Sequence, residues 1–529
     1  MIFLILSHSS HSIIIKINSF SKKMSMKLVT ILLIVIIFSV VLLSYQSVRQ
    51  LSRYLAKRCE SAYELKEIRV PDDFIFGAST SAYQIEGAWN VDGKGISIWD
   101  HILHTRPEVV RDGSNGDIAA DSYHLYKKDI EALKRIGFNF YRFSISWTRI
   151  LPNGGTNEVN LAGIEYYHRV IDECILNGIE PIVTTYHLDL PQSLQDLGGW
   201  SNPIMAQYYE GYVDILFQHF GSKVKRWITF NEPFDACVDG YGRGTLPPFV
   251  LGAEYLCAHH ILISHATAYH LYKNKYKHLN GKIGITLNSR YFIPKNGKNS
   301  SLTERGMQYM FGWFGHPLLS AHGDYPSIMR QEIAVNSKNE NQTASRLPFM
   351  NTQLKLFIRG TVDYLSFNYY TSNIVEYNLN FTSMSPSWDK DSRLILGSDP
   401  TWKQSKTKWI YNVPQGIYKT LKWIYEQYDN PEILITENGW SDDGQIEDID
   451  RIDYIKQHLR EVLKMKLCGN ANIVGYGVWS LLDNFEWLSG YTEHFGLYAI
   501  KNNSSEKERI PKMSTKFIQN IIMTRNVPY

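Results

Sequence analysis

The sequence predicts an α/β fold built as a single (β/α)8 barrel with long insertions in its βα-loops. Three observations predict it. Eight short β-rich segments recur along the chain, amphipathic helical stretches separate them, and polar side chains gather at their C-terminal ends.

In chain order the β-rich segments are Phe74–Gly77, Phe140–Ile145, Glu180–Tyr186, Arg226–Phe230, Lys282–Leu287, Asp363–Phe367, Ile433–Thr436 and Ile473–Trp479. Between them, 121–136, 162–177 and 208–219 repeat apolar residues at three- and four-residue spacing, the mark of a helix with one buried face. Successive segments start from about 40 to about 80 residues apart, so several loops must be long. A doubly wound open sheet is the rival fold. It needs a glycine-rich phosphate loop after its first strand, and Phe-Gly-Ala-Ser-Thr-Ser-Ala at 76–82 does not supply one.

Length and composition fit this fold. The 529 residues are 44% hydrophobic, 20% charged and 13% aromatic, and five cysteines are too few for a disulfide scaffold. The net charge of +3 is uneven: residues 1–70 hold ten Lys/Arg and three Asp/Glu, leaving 45 basic and 49 acidic groups in the other 459. A mildly acidic body is a poor match for nucleic acid, so none is expected as partner.

The N-terminus reads as three parts: an extension with a basic n-region at 1–27, a hydrophobic segment at 28–45 and a stem at 46–69, before the barrel body at 70–529. Residues 28–43 carry no charge and follow Lys22, Lys23 and Lys27. Sixteen residues are short of the ~20 that span a bilayer, and Ser44 and Tyr45 extend them. No small-x-small cleavage site follows, and Arg49, Arg53, Lys57 and Arg58 come next. An uncleaved signal-anchor and a cleaved signal peptide both fit; either sends the body through the secretory pathway to a lumenal or extracellular destination, anchored or secreted. Met24 and Met26 are alternative starts. Sequons at Asn299, Asn341, Asn380, Asn502 and Asn503 are glycosylation candidates. Cys237 and Cys257 are near enough in sequence to pair; the other thiols are expected to be free and buried.

In a barrel, side chains at the C-terminal strand ends converge on one pocket. Those positions hold Gln84 and Glu86, Arg142, His187, Asn231 and Glu232, Asn288, Asn368 and Tyr370, Glu437 and Asn438, and Trp479 with Glu486 and Trp487 beyond it. Core positions would be apolar, so this ring reads as an active site. Glu232 ends Thr-Phe-Asn-Glu-Pro at the fourth strand, where Pro233 is expected to hold it extended. Glu437 ends Ile-Thr-Glu-Asn-Gly at the seventh. Strands four and seven are nearly opposite in an eight-membered ring, so the two carboxyls can face each other across a sugar-sized cleft. One ionised to attack the anomeric carbon and one protonated to serve the leaving oxygen are what glycoside hydrolysis requires.

The stretch Phe74-Ile-Phe-Gly-Ala-Ser-Thr-Ser-Ala-Tyr-Gln-Ile-Glu-Gly-Ala88, the strand end Ile435-Thr-Glu-Asn-Gly439, and Trp479-Ser-Leu-Leu-Asp-Asn-Phe-Glu-Trp487 followed by Gly490-Tyr-Thr-Glu-His-Phe-Gly496 together resemble the β-glucosidases of glycoside hydrolase family one. The resemblance covers about residues 70–524, and its wording is closest to animal members, insects included. It implies that Glu437 is the nucleophile and Glu232 the acid/base, with the carboxyls about 5 Å apart and β-configuration retained. It further implies that Asn231 binds the sugar 2-hydroxyl and that Arg142 and Tyr370 orient Glu437. Gln84, His187, Glu486 and Trp487 would hold the outer hydroxyls, and Trp479, before a cis bond to Ser480, would lie under the ring. No metal or cofactor is implied; the partner is a small β-glycoside. Leu188 and His494 depart from the common Trp and Arg, and the loop Gly242–Phe249 is unusual.

Other features weigh less. His259, His260, His265 and His270 share one helix without sharing a face, and no H-E-x-x-H occurs. Trp402, Trp409 and Trp423 fit either the core or the cavity entrance, with the entrance favoured for Trp402, and 501–512 is expected as a solvated loop. Beside a β-glucosidase, which galactosidase or fucosidase activity would resemble, stand a thioglucosidase for sulfated thioglucosides, with Arg243 as a sulfate-site candidate, and a non-catalytic binding protein. The oligomeric state is not legible.

Overall fold

Eight parallel strands close into a ring: β1 (Ile75–Ser79), β2 (Phe140–Ser144), β3 (Glu180–Tyr186), β4 (Arg226–Asn231), β5 (Lys282–Pro294), β6 (Tyr364–Tyr377), β7 (Ile433–Glu437) and β8 (Ile473–Trp479). Each pairs with the next in chain order, and β8 returns to β1 with Trp479 opposite Ser79. This computed structural model describes residues 67–297, 300–501 and 506–529. The hydrophobic segment at 28–45 and the sequons Asn299, Asn502 and Asn503 lie outside them. Among the described residues no helix is long and apolar enough to cross a membrane.

The period of two explains how the ring fills. Phe140, Ile182, Ile228, Tyr364 and Leu434 form a small apolar plug at the N-terminal end of the barrel. Two residues further along, on the same faces, stand Arg142, Thr184, Ser366 and Thr436, all buried. Their hydroxyls bond one another: Ser366 Oγ lies 2.6 Å from Thr436 Oγ1 and 2.7 Å from Thr286 Oγ1. The intervening residues, among them Tyr141, Val183, Leu365 and Ile435, face outward into the main core beneath the helices. The barrel interior therefore passes from apolar to polar toward its C-terminal mouth.

Helices α1 (Ser122–Ile136), α2 (Leu161–Leu176) and α3 (Met205–Phe220) sit close to where the periodicity predicts them. In α1 the buried Tyr123, Ile130, Leu133 and Ile136 make the inner face, and Gly137 ends it at φ 90°, a conformation glycine adopts freely. After β4 come a short α4 (Pro233–Tyr241) and a long α5 (Glu254–Lys275), joined by the Cys237–Cys257 disulfide with its Cα atoms 5.5 Å apart. Cys174 is a free buried thiol, as expected, whereas Cys468 is disulfide-bonded and not free.

Two strands run past their predicted ends. β5 and β6 pair in parallel as far as Pro294 opposite Val375, and β6 also pairs antiparallel with Leu394–Gly397. This extension forms a wall above the mouth. It reads poorly from sequence because Asn-Ser-Arg and Asn-Tyr-Tyr-Thr break the apolar run at the barrel rim. The strand Glu67–Arg69, just ahead of the expected start of the body, pairs with Asn526–Pro528. The supposed loop at 501–512 is partly structured. Arg509–Pro511 pairs with Tyr498–Ile500, and Arg509 Nε meets Asp129 at 2.7 Å.

Candidate active site

A cavity of about 420 Å³ opens at the C-terminal mouth, and Glu232 and Glu437 both line it. That is room for a small ligand. Strand β6 holds the pair in place. Asn368 and Tyr370 lie two residues apart on one face, about 7 Å along the strand. Asn368 Nδ2 donates to Glu232 Oε1 at 2.8 Å, and the Tyr370 hydroxyl donates to Glu437 Oε2 at 2.8 Å. One strand thus fixes both carboxyls toward the same space.

Glu232 is not extended as the Pro233 argument expects. It lies just past β4 in the left-handed region, φ 44° and ψ 62°. A following proline disfavours the right-handed helical region, and the chain takes the left-handed alternative because α4 starts at Pro233 without an intervening loop. Such a conformation costs about 1–3 kcal/mol and is tolerated where the surroundings fix it. Here the backbone N–H of Glu232 donates to Thr286 O at 3.0 Å on β5.

Arg142 is the hub beneath. Its fully buried guanidinium donates to Glu437 Oε1 at 2.5 Å, to Asn231 Oδ1 at 2.7 Å and, through Nε, to Thr184 Oγ1 at 2.8 Å. Glu437, 4% exposed, therefore has one oxygen on a cation and the other on a phenol. Burial and the Glu437 charge push the Tyr370 phenol well above its ordinary value, so it keeps its proton as donor. Glu232 is driven the same way. Burial first, then the charges of Asp235 and Glu437, raise its carboxyl well above the usual range. Both effects favour its protonated form.

The other expected residues distribute unevenly. His187, Asn231, Trp479, Glu486 and Trp487 line the cavity. The His187 ring stacks 5.9 Å from Trp479 and 6.1 Å from Trp487, and Asn231 Nδ2 lies 3.3 Å from His187 Nε2. Burial and Arg142 hold His187 far below its ordinary pKa, hence neutral. Glu486 is raised well above the carboxylate range by burial and the charges of Glu493 and Glu437. Gln84 stands behind it, donating to Glu486 Oε2 at 3.4 Å and Phe485 O at 3.0 Å. The Trp479–Ser480 bond is cis.

Glu86 and Asn438 belong to the scaffold. Glu86 turns outward to Arg149 at 3.0 Å and the Tyr167 hydroxyl at 2.6 Å; Asn438 ties Tyr369 O to the Tyr454 and Tyr476 hydroxyls. Arg243 pairs with Asp239 at 2.9 Å and Asp389 at 2.6 Å, so it is no free sulfate site. Trp409, not Trp402, lines the cavity, while Trp423 is core. The four histidines of α5 go to separate partners: Tyr325, Trp200, Thr229 with Thr361, and Phe357. Asn341 and Asn380 are exposed.

Among the cavity residues that escape the sequence reading are Asp235 and Arg290. Asp235 is three residues past Glu232, one helical turn on. Arg290 is two residues past Asn288, on the same strand face. Both could have been found by carrying the periodicity beyond the strand ends. Trp409 sits in an irregular stretch with no such signal.

The sequence model of Glycosyl hydrolase family 1 matches residues 66–527. The chain belongs to that family. Among its relatives, Myrosinase 1 of Brevicoryne brassicae is 45% identical over 467 residues, spanning 87% of this chain and 99% of that one. Lactase/phlorizin hydrolase of Homo sapiens is 42% identical over 470 residues, 87% of this chain and 24% of that longer protein. The solved structure of aphid myrosinase superposes with a TM-score of 0.82 at 44% identity, covering 86% and 99% of the two chains. A β-glucosidase from Trichoderma harzianum gives 0.80 at 33% identity, covering 86% and 98%. Family 1 membership accounts for the barrel, and the barrel accounts for where the two glutamates meet.

Proposed function

We propose that the chain is a retaining β-glycosidase that hydrolyses terminal β-D-glucosyl residues of small glycosides. One observation carries the reading: Glu232, clamped by Asn368 and pushed toward its protonated form by burial and neighbouring charge, shares a cavity with Glu437, a carboxylate held by Arg142 and Tyr370.

In the first step a Glu437 oxygen attacks the anomeric carbon, the bond to the leaving oxygen breaks, and the Glu232 proton passes to that oxygen. The sugar is left as an ester on Glu437. In the second step Glu232, now a carboxylate, takes a proton from water while the water oxygen attacks the same carbon and the ester bond breaks. Two inversions give retention. Asn231 can bond the sugar 2-hydroxyl, neutral His187 and Glu486 can each bond outer hydroxyls, and Trp479 offers a face to the ring. The test is release of nitrophenol from its β-glucoside, with Glu437→Ala in parallel. Activity in the parent, lost by several orders of magnitude in the variant, supports the reading; a folded but inactive parent on glucoside, galactoside and fucoside counts against it.

Arg290 favours a second reading, a thioglucosidase acting on sulfated thioglucosides. Its guanidinium lines the cavity, bonds Asn373 Oδ1 at 3.2 Å, lies over Trp409 at 5.4 Å and makes no salt bridge among the described residues. A cation there can meet an anionic aglycone, and a thiolate leaves with less help from an acid. Faster turnover of sulfated than of neutral thioglucosides, lost in Arg290→Gln, would support it.

We also propose transit through the secretory pathway, with residues 28–45 as signal or membrane anchor. The Cys237–Cys257 bond fits an oxidising compartment, and exposed Asn341 and Asn380 can accept glycans. A mass shift on deglycosylation of the protein from its native cell tests this.

A further inference from the structure

One carboxyl in the cavity wall has no part in the scheme above. Asp235 sits in the first turn of α4, three residues past Glu232, so the two side chains rise on the same face of the helix start. Both line the cavity, and they are hydrogen bonded to each other. Asn288 Nδ2 on β5 clamps Asp235 Oδ2 at 2.8 Å, as Asn368 Nδ2 on β6 clamps Glu232 Oε1 at 2.8 Å. Two amides hold two carboxyls side by side, an arrangement with room for one proton between them.

We propose that Asp235 is a positioning residue for the acid/base: its carboxylate accepts the hydrogen bond of Glu232, keeps the proton there until a leaving oxygen arrives, and makes Glu232 the stronger base in the second step. The inference rests on the acid/base role given to Glu232. Asp235 itself neither gains nor loses a proton over the cycle. In the first step the Glu232 proton leaves for the glycosidic oxygen and two carboxylates stand adjacent. Their repulsion is relieved when Glu232 takes a proton from water.

The surrounding charges are consistent with this division. Glu232 faces Glu437 and Tyr370 across the cavity; Asp235 faces Arg290 on β5 and Asp239 and Arg243 at the far end of α4, with Asp389 behind Arg243. Burial and the Asp239 charge raise Asp235 to about 6, against the opposing pull of Arg290, the Glu232 bond and Arg243, while burial and the charges of Asp235 and Glu437 hold Glu232 well above its ordinary value. The bond between them raises Glu232 and lowers Asp235, which favours the shared proton on Glu232.

The test is the pH profile of kcat/KM on a nitrophenyl β-glucoside for the full chain, Asp235→Asn and Glu232→Gln. In Asp235→Asn the alkaline limb should move down by about one pH unit or more, because a like charge is gone and an amide can now donate to Glu232. On a dinitrophenyl glycoside, whose second step limits turnover, kcat and KM should fall together, since the base is weaker. An unmoved limb, or a uniform loss over pH and substrates, overturns the inference, since a merely structural role would give the latter. Asp235→Ser repeats the test should Asp235→Asn not fold. Glu232→Gln should abolish the limb; if the limb persists there, the acid/base reading itself fails.

Discussion

Replacing Glu232 by glutamine removes an acid and leaves its scaffold intact. The amide oxygen can still accept from Asn368 Nδ2, whose bond to Oε1 is 2.8 Å, and the side chain keeps its length. What disappears is the acidic proton that burial and the charges of Asp235 and Glu437 favour. General acid catalysis contributes about 10²–10⁴-fold, or about 3–5 kcal/mol of barrier. The whole of that loss should appear with alkyl glucosides, whose leaving alkoxide cannot depart unprotonated. With dinitrophenyl glucoside the first step should be nearly unchanged. The second step, which also needs Glu232, then slows, so a burst of dinitrophenol precedes a slow steady state. Azide should restore turnover and yield a β-glycosyl azide, since an anion needs no base. Stopped-flow release across a series of leaving groups measures this. Equal losses over the series, or no burst, would refute the assignment.

Arg142→Met removes the only cation paired with Glu437 among the described residues and three donors that also serve Asn231 and Thr184. Breaking a buried pair costs about 3–5 kcal/mol, which for a chain of this size lowers the melting temperature by about 3–5 °C. Activity should fall by at least about 10²-fold, measured on the folded variant. His458 is buried, stacked 3.9 Å from Tyr454, and burial lowers its pKa to about 3. Its folded value lies below the unfolded one, so the stability it permits is full above about pH 6.5 and is lost as pH falls toward 3, by about 3 kcal/mol at pH 4. Melting of His458→Asn should therefore depend less steeply on pH between 6.5 and 4 than melting of the parent; parallel curves would contradict this.

Much of the barrel was legible because its segments obey simple periods. The alternation in Phe140–Ser144 puts the plug residue Phe140 and the polar Arg142 on one face, and Leu434 and Thr436 repeat the pattern on β7. Glu232 and Glu437 were legible for the same reason: each ends a short apolar strand with a turn signal after it. The misses follow from local rules that tertiary packing overrides. A residue before proline is kept from the right-handed helix, but sequence alone does not say whether it becomes extended or left-handed, and Glu232 takes the second course. Glu86 looked like a pocket residue by position, yet Arg149 and Tyr167 draw it outward. Arg243 looked free until Asp389, 146 residues on, closed its ion pair. Pairing across that distance leaves no trace in a single sequence.

The covalent glycosyl-enzyme is the point on which everything turns. A 2-fluoro-glucoside with a dinitrophenyl leaving group slows the second step more than the first and should trap it. Incubation of the full chain with this reagent, followed by intact mass and peptide mapping, should show one fluoroglucosyl group per chain on Glu437, with activity lost in proportion. A label on Glu232 or Glu486, or inactivation without any label, would contradict the account.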